Sequence, residues 1–139
     1  MNRVLKEVSK ILEREGVRFE FLTSPPFPSY KGSYILVVFL NKNKRIKIGK
    51  LGEFLFKKGF YFYVGSAKGG IDKRVNRYFN LKRAKWHIDY LLREGKSVGV
   101  FCVRNKEEEE LSHILRKYRE EPIKGFGSSD KSCFSHLFV

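Results

Sequence analysis

The chain has 139 residues, 42% of them hydrophobic and 15% aromatic, enough apolar material for the core of one compact domain and too much for a disordered chain. It carries 29 Lys and Arg against 15 Asp and Glu, a formal net charge of +14, which suits phosphate backbones or anionic surfaces. No apolar run approaches the roughly 20 residues of a membrane span, and the N-terminal stretch is broken by charges, so a cytoplasmic protein with no membrane partner is expected. Two cysteines, Cys102 and Cys133, lie far apart; they exclude a disulfide framework and supply too few ligands for a paired-cysteine zinc site.

The elements follow in chain order. Val4, Val8, Ile11 and Leu12 recur at helical spacing between charged residues, which predicts an amphipathic helix over 3–15. Three of the four prolines fall in 23–30, an extended connector. The β-branched and aromatic run at 34–40 reads as a buried strand, and 45–50, after a polar turn, as its antiparallel return. Lys58-Gly59 forms another turn before a second clear strand over 60–65. Gly69-Gly70 breaks the chain, and helices follow over 71–79 and 86–93. A strand over 98–103 and a helix over 107–118, with Leu111, Ile114, Leu115 and Tyr118 as its apolar stripe, complete the pattern before a Gly- and Ser-rich tail over 125–139. This order predicts an α+β domain: a small, mainly antiparallel sheet of three core strands flanked by helices. Residues 1–30 read as a helix plus connector, and 31–139 as the domain proper.

The charge is concentrated. Between Asn41 and Lys85 there are 14 basic and two acidic residues, Glu53 and Asp72, whereas the flanks carry 15 basic and 13 acidic ones. Such a block favours a nucleic-acid partner.

Gly32-Ser33-Tyr34 opens the first strand, Tyr63-Val64-Gly65 closes the second, and the stretch YVGSAKGGIDKRVNRYF follows. Together they resemble the signature of GIY-YIG nucleases, most familiar in the incision subunit of bacterial nucleotide-excision repair. WHIDYLL and the GFGSSD…SHLF tail resemble a narrower, little-characterised family of small prokaryotic proteins within that superfamily. The resemblance covers residues 31–139 and leaves the N-terminal helix outside. It implies a divalent-metal-dependent endonuclease acting on nucleic acid, DNA ahead of RNA, with Mg²⁺ or Mn²⁺ as cofactor. In that scheme Tyr34 and Tyr63 handle the attacking water, Arg74 contacts the phosphate, Tyr78 stands where relatives carry His or Tyr, and one glutamate holds the ion. Ser33 departs from the pattern, standing where relatives carry isoleucine.

Each role has a plainer alternative. Tyr34 and Tyr63 could be ordinary strand aromatics, and Arg74 a solvated helix residue. Arg74, Arg77 and Tyr78 are spaced to form one helical cluster. His87 could contact phosphate or move a proton, or it could, with Asp89, fix its helix against the sheet. Four consecutive glutamates, 107–110, could simply complement the helix macrodipole; the apolar stripe puts Glu107 and Glu108 on its own side and Glu110 at the flank, and the resemblance favours Glu108 as the metal ligand, with Glu110 second. Lys68, Lys73, Arg77, Lys82, Arg83 and Lys85 are the cations expected to hold the nucleic-acid backbone. Gly127-Ser128-Ser129-Asp130 offers amides and hydroxyls for a phosphate or a turn. Cys133 and His136 are what remains of a Cys/His cluster found in relatives, too little for a metal cluster. The rival to an endonuclease is a non-catalytic nucleic-acid-binding module on the same fold. A weaker third reading is a protein-interaction domain that docks through the helix at 3–15.

Overall fold

The computed structural model describes residues 2–127 and 135–139. Its elements run α1 (Arg3–Arg14), β1 (Glu20–Leu22), β2 (Gly32–Leu40), β3 (Lys44–Ile48), β4 (Gly52–Phe56), β5 (Gly59–Ala67), α2 (Ile71–Val75) with a 3-10 turn (Asn76–Phe79), α3 (His87–Glu94), β6 (Lys96–Arg104), α4 (Glu108–Arg116) and β7 (Leu137–Phe138). The expected α+β architecture is present, with a larger sheet than the sequence suggested. Five antiparallel strands pair in the order β1-β6-β2-β5-β7.

Alternation along the central strands splits their side chains between two cores. Tyr34, Leu36 and Val38 of β2, with Val100 and Cys102 of β6, face one side, where Ile71, Val75, Ile88, Leu91 and Phe126 cover them. Ile35 and Val37, with Phe62, Val64, Phe101 and Val103, face the other, covered by Leu5, Val8, Ile11 and Leu12 of α1 and Leu111, Ile114 and Leu115 of α4. Helix α1 begins where the Asn2 side chain accepts the Val4 N–H at 2.7 Å, satisfying an otherwise orphan donor. It is therefore part of the sheet's second layer, as β1 is part of the sheet itself.

Two expectations are corrected. The segment after β2 does not return against it: β3 pairs only with β4, in a separate two-stranded sheet, because both edges of β2 are taken by β5 and β6. The helix expected over 71–79 is one α-helical turn that tightens into the 3-10 turn at Asn76. No helix among the described residues is long and apolar enough to cross a membrane.

Two glycines set how closely the central strands approach. A Cβ on Gly32 would lie 2.0 Å from the Val103 carbonyl oxygen of β6, and one on Gly65 would lie 2.3 Å from the Tyr34 hydroxyl. Gly32→Ala should therefore lower stability by about 1–3 kcal/mol, since the obstacle is backbone that cannot rotate away. Gly69→Ala, with nothing within 4 Å of its Cβ, should stay within about 0.5 kcal/mol of wild type. Denaturant unfolding of both variants checks the pair.

Candidate active-site cleft

Antiparallel register places Tyr34 of β2 directly opposite Gly65 of β5. Neighbours at such positions share a face, and the missing side chain at 65 leaves room for the Tyr34 ring to lie across β5. Its hydroxyl meets the Tyr78 hydroxyl at 2.7 Å, tying the strand to the 3-10 turn. Tyr63, two residues before Gly65, occupies the same face.

Tyr34, Tyr63 and Gly65 border an open cleft of ≈ 560 Å³. Tyr34, Tyr63, Gly65 and Ser66 come from the strands, Arg74 from α2, Lys85, Trp86 and His87 from the start of α3, Glu108 from α4, and Gly127 from the C-terminal segment. Chain segments far apart in sequence thus deliver two phenols, three basic side chains and a carboxylate to one space.

The positioning of each is explicit. The Arg74 guanidinium lies 4.6 Å from the centre of the Trp86 ring, and that of Arg77 lies 4.3 Å from it, so the indole supports both cations. Arg77 forks onto Asp89 through two bonds of 2.7 and 2.8 Å. Asp89, whose side chain is 0% exposed, also accepts the Lys85 and Trp86 backbone N–H groups. The latter is the reach-back of an acidic third helical residue to the cap. Burial alone would raise the Asp89 carboxyl, but the Arg77 fork and the two backbone donors outweigh it and hold the group below the ordinary carboxylate range.

His87 packs edge-on against Phe126, as does Tyr63, and its Nδ1 accepts the Gly127 N–H at 2.8 Å. Burial lowers its pKa and so favours the neutral ring, and because Nδ1 accepts that bond the neutral ring carries its proton on Nε2. Gly127 has φ +71°, and a Cβ there would lie 2.8 Å from the Tyr63 ring, so glycine alone suits this closure of the cleft. Burial also raises all three tyrosines, Tyr34, Tyr63 and Tyr78, and the nearby Arg74 charge partly opposes the rise.

The two glutamates separate cleanly. Glu108 lines the cleft with its side chain 13% exposed and one carboxylate oxygen 3.5 Å from His136 Nδ1. Glu110 is 58% exposed, lies outside the cleft and pairs with Lys106. Tyr78 sits behind Tyr34 rather than on the wall. Arg77, expected to contact phosphate, is engaged by Asp89. Lys85 lines the cleft, whereas Lys68, Lys73, Lys82 and Arg83 are exposed beyond its rim. Residues 128–134, with the Ser128-Ser129-Asp130 and Cys133 expectations, lie outside the described residues.

The model of a domain of unknown function, DUF123, matches residues 33–139. The chain belongs to the DUF123 family. No curated protein and no solved structure matches it significantly. The DUF123 segment contains every residue that lines the cleft, while α1 and β1 precede it.

Sequence reasoning missed Phe126, Trp86 and His136 as builders of this site. Trp86 beside two arginines at helical spacing was the readable signal; Phe126 and His136 act through contacts that only the fold creates.

Asp89 generates a stability test. Because its folded pKa is depressed, its contribution is present in full above the unfolded carboxyl value of about 3.9 and is lost as pH falls through the lower folded value. Asp89→Asn should cost about 2–4 kcal/mol at pH 7, since it strands part-buried donors, and should flatten the acid limb of the stability curve. Denaturant midpoints of both proteins at neutral and acidic pH measure this.

Proposed function

We propose that the chain is a divalent-metal-dependent endonuclease of the GIY-YIG type, hydrolysing phosphodiester bonds in nucleic acid, with DNA as the first substrate to test. The observation that carries this reading is the meeting of Tyr34, Tyr63, Arg74, His87 and Glu108 on one open cleft. Phosphodiester hydrolysis needs a held water, charge neutralisation at phosphorus and help for the leaving oxygen, and this set covers all three.

Arg74 binds the phosphate, and stacking on Trp86 limits the freedom its guanidinium loses on doing so. Glu108 fits a magnesium site: it is a single hard carboxylate on the cleft wall, and Mg²⁺ takes one or two carboxylates and keeps several waters. His136 beside it orients the carboxylate. When bound, the ion supplies further charge neutralisation at the phosphate.

Tyr63 holds the attacking water. Burial keeps its phenol protonated at neutral pH, so the phenol oxygen takes the water's proton as its own passes to solvent in the open cleft, a transfer that the Arg74 charge favours. Tyr34, fixed by Tyr78, backs it. The Nε2–H of His87 donates a hydrogen bond to the leaving oxygen, which takes its proton from solvent. The balance is one water consumed, one P–O ester bond broken, and a phosphomonoester and a hydroxyl formed.

The second reading, a nucleic-acid-binding module without catalysis, draws on the Tyr34–Tyr78 bond, which is buried and equally suits a purely structural pair.

Purified protein incubated with labelled single-stranded, duplex and branched DNA and RNA should cut at least one of them with Mg²⁺ or Mn²⁺ and none with chelator. Tyr63→Phe should slow cutting by about 10²–10⁴-fold while leaving binding intact. Binding without cutting on every substrate and metal would contradict the enzyme and support the binding module.

A further inference from the structure

A second groove, of ≈ 610 Å³, lies between the β3–β4 hairpin and α3. Lys47 and Lys50 form one wall, Arg93 and Tyr90 the other. Lys85 and His87 line both this groove and the cleft described above, so the two are adjacent. No acidic residue lines it, and among the described residues no carboxylate pairs with Lys47, Lys50, Lys85 or Arg93.

The walls are also built to keep their spacing. Lys44, at the start of the hairpin, pairs with Glu94 at the end of α3. Gly49, at the hairpin turn with φ +49°, sits so close to Tyr90 that a Cβ there would lie 3.3 Å from the ring. Ile46 and Ile48 bury the inward face of β3 in the same core as Ile88 and Leu91 of α3. Lys47, between the two isoleucines, must then point outward.

We infer that this groove carries the phosphate backbone of the bound nucleic-acid strand away from the cleft, past Lys85, between the hairpin and α3. The inference rests on the nuclease reading and adds to it a direction for the substrate and a role for the hairpin. Its occupant is a polyanionic strand that extends from the cleft, because the groove adjoins the cleft at Lys85 and His87 and is lined by four cationic side chains without a carboxylate.

The test is the salt dependence of binding to a labelled DNA oligonucleotide in chelator, where no cutting is expected. Each lost phosphate contact makes the slope of log affinity against log salt shallower by ~0.7–0.9. Lys47→Ala/Lys50→Ala should flatten it by about 1.4–1.8. Arg93→Ala, on the facing wall, should flatten it by about half as much and provides a second route should the double variant fold poorly. Lys6→Ala/Lys10→Ala removes the same charge from α1, on the opposite side of the sheet, and should leave the slope unchanged. Variant slopes equal to wild type, in a protein that binds and cuts, would overturn the groove and leave the nuclease standing. Equal flattening by the α1 control would overturn the groove in favour of a diffuse charge effect. Absence of any nucleic-acid affinity in wild type at moderate salt would overturn both.

Discussion

The site depends on one steric allowance: a tyrosine in β2 lies across β5 because the residue opposite it is glycine. Any side chain at 65 would occupy the space of the Tyr34 hydroxyl. From this contact the rest follows by register. Tyr34 reaches Tyr78 and anchors the 3-10 turn; the turn continues α2, which presents Arg74; and Tyr63, one pleat from Gly65, shares the face. Since one residue of slip would turn every side chain to the other face, the burial of both sheet faces is what holds the phenols where they are.

The charge has its own organisation. An excess of cations in one block would repel itself in a compact domain. Asp89 relieves this locally by taking Arg77 into a bidentate, partly buried pair, and Trp86 spreads its ring beneath both Arg74 and Arg77. Arg77 is thereby held within the fold, while Arg74 lines the cleft. Around them, Lys44 and Arg45 pair with Glu94 and Glu53, while Lys47, Lys50 and Lys85 line the grooves. Cations close in sequence thus divide between holding the fold and facing the grooves.

Much of this was legible in the sequence where structure is local. The long apolar strands, the amphipathic helices and the stripe that ranks Glu108 over Glu110 all follow from periodicity. Strands β1 and β7, of three and two residues, have no periodicity to read, since pairing with β6 and β5 alone makes them strands. Strand β4 escaped because its exposed face carries an apolar Leu55 beside Phe54 and Phe56, which blurs the polar–apolar alternation. The split of the hairpin from the main sheet was hidden because it depends on which edges are already taken. Likewise, Arg77 and Asp89 are twelve residues apart, and His136 reaches Glu108 through the pairing of β5 with the chain's end. Such partnerships are products of tertiary packing.

The proposed catalytic centre turns on which glutamate holds the ion. Glu108 and Glu110 sit two residues apart on α4, bear the same charge and differ in that only Glu108 lines the cleft. The decisive measurement compares cutting rates of Glu108→Ala and Glu110→Ala under saturating Mg²⁺. Loss of about 10²-fold or more in the first, with wild-type cutting in the second, is the expected result; equal rates in the two variants would contradict the assignment of this cleft as the catalytic centre.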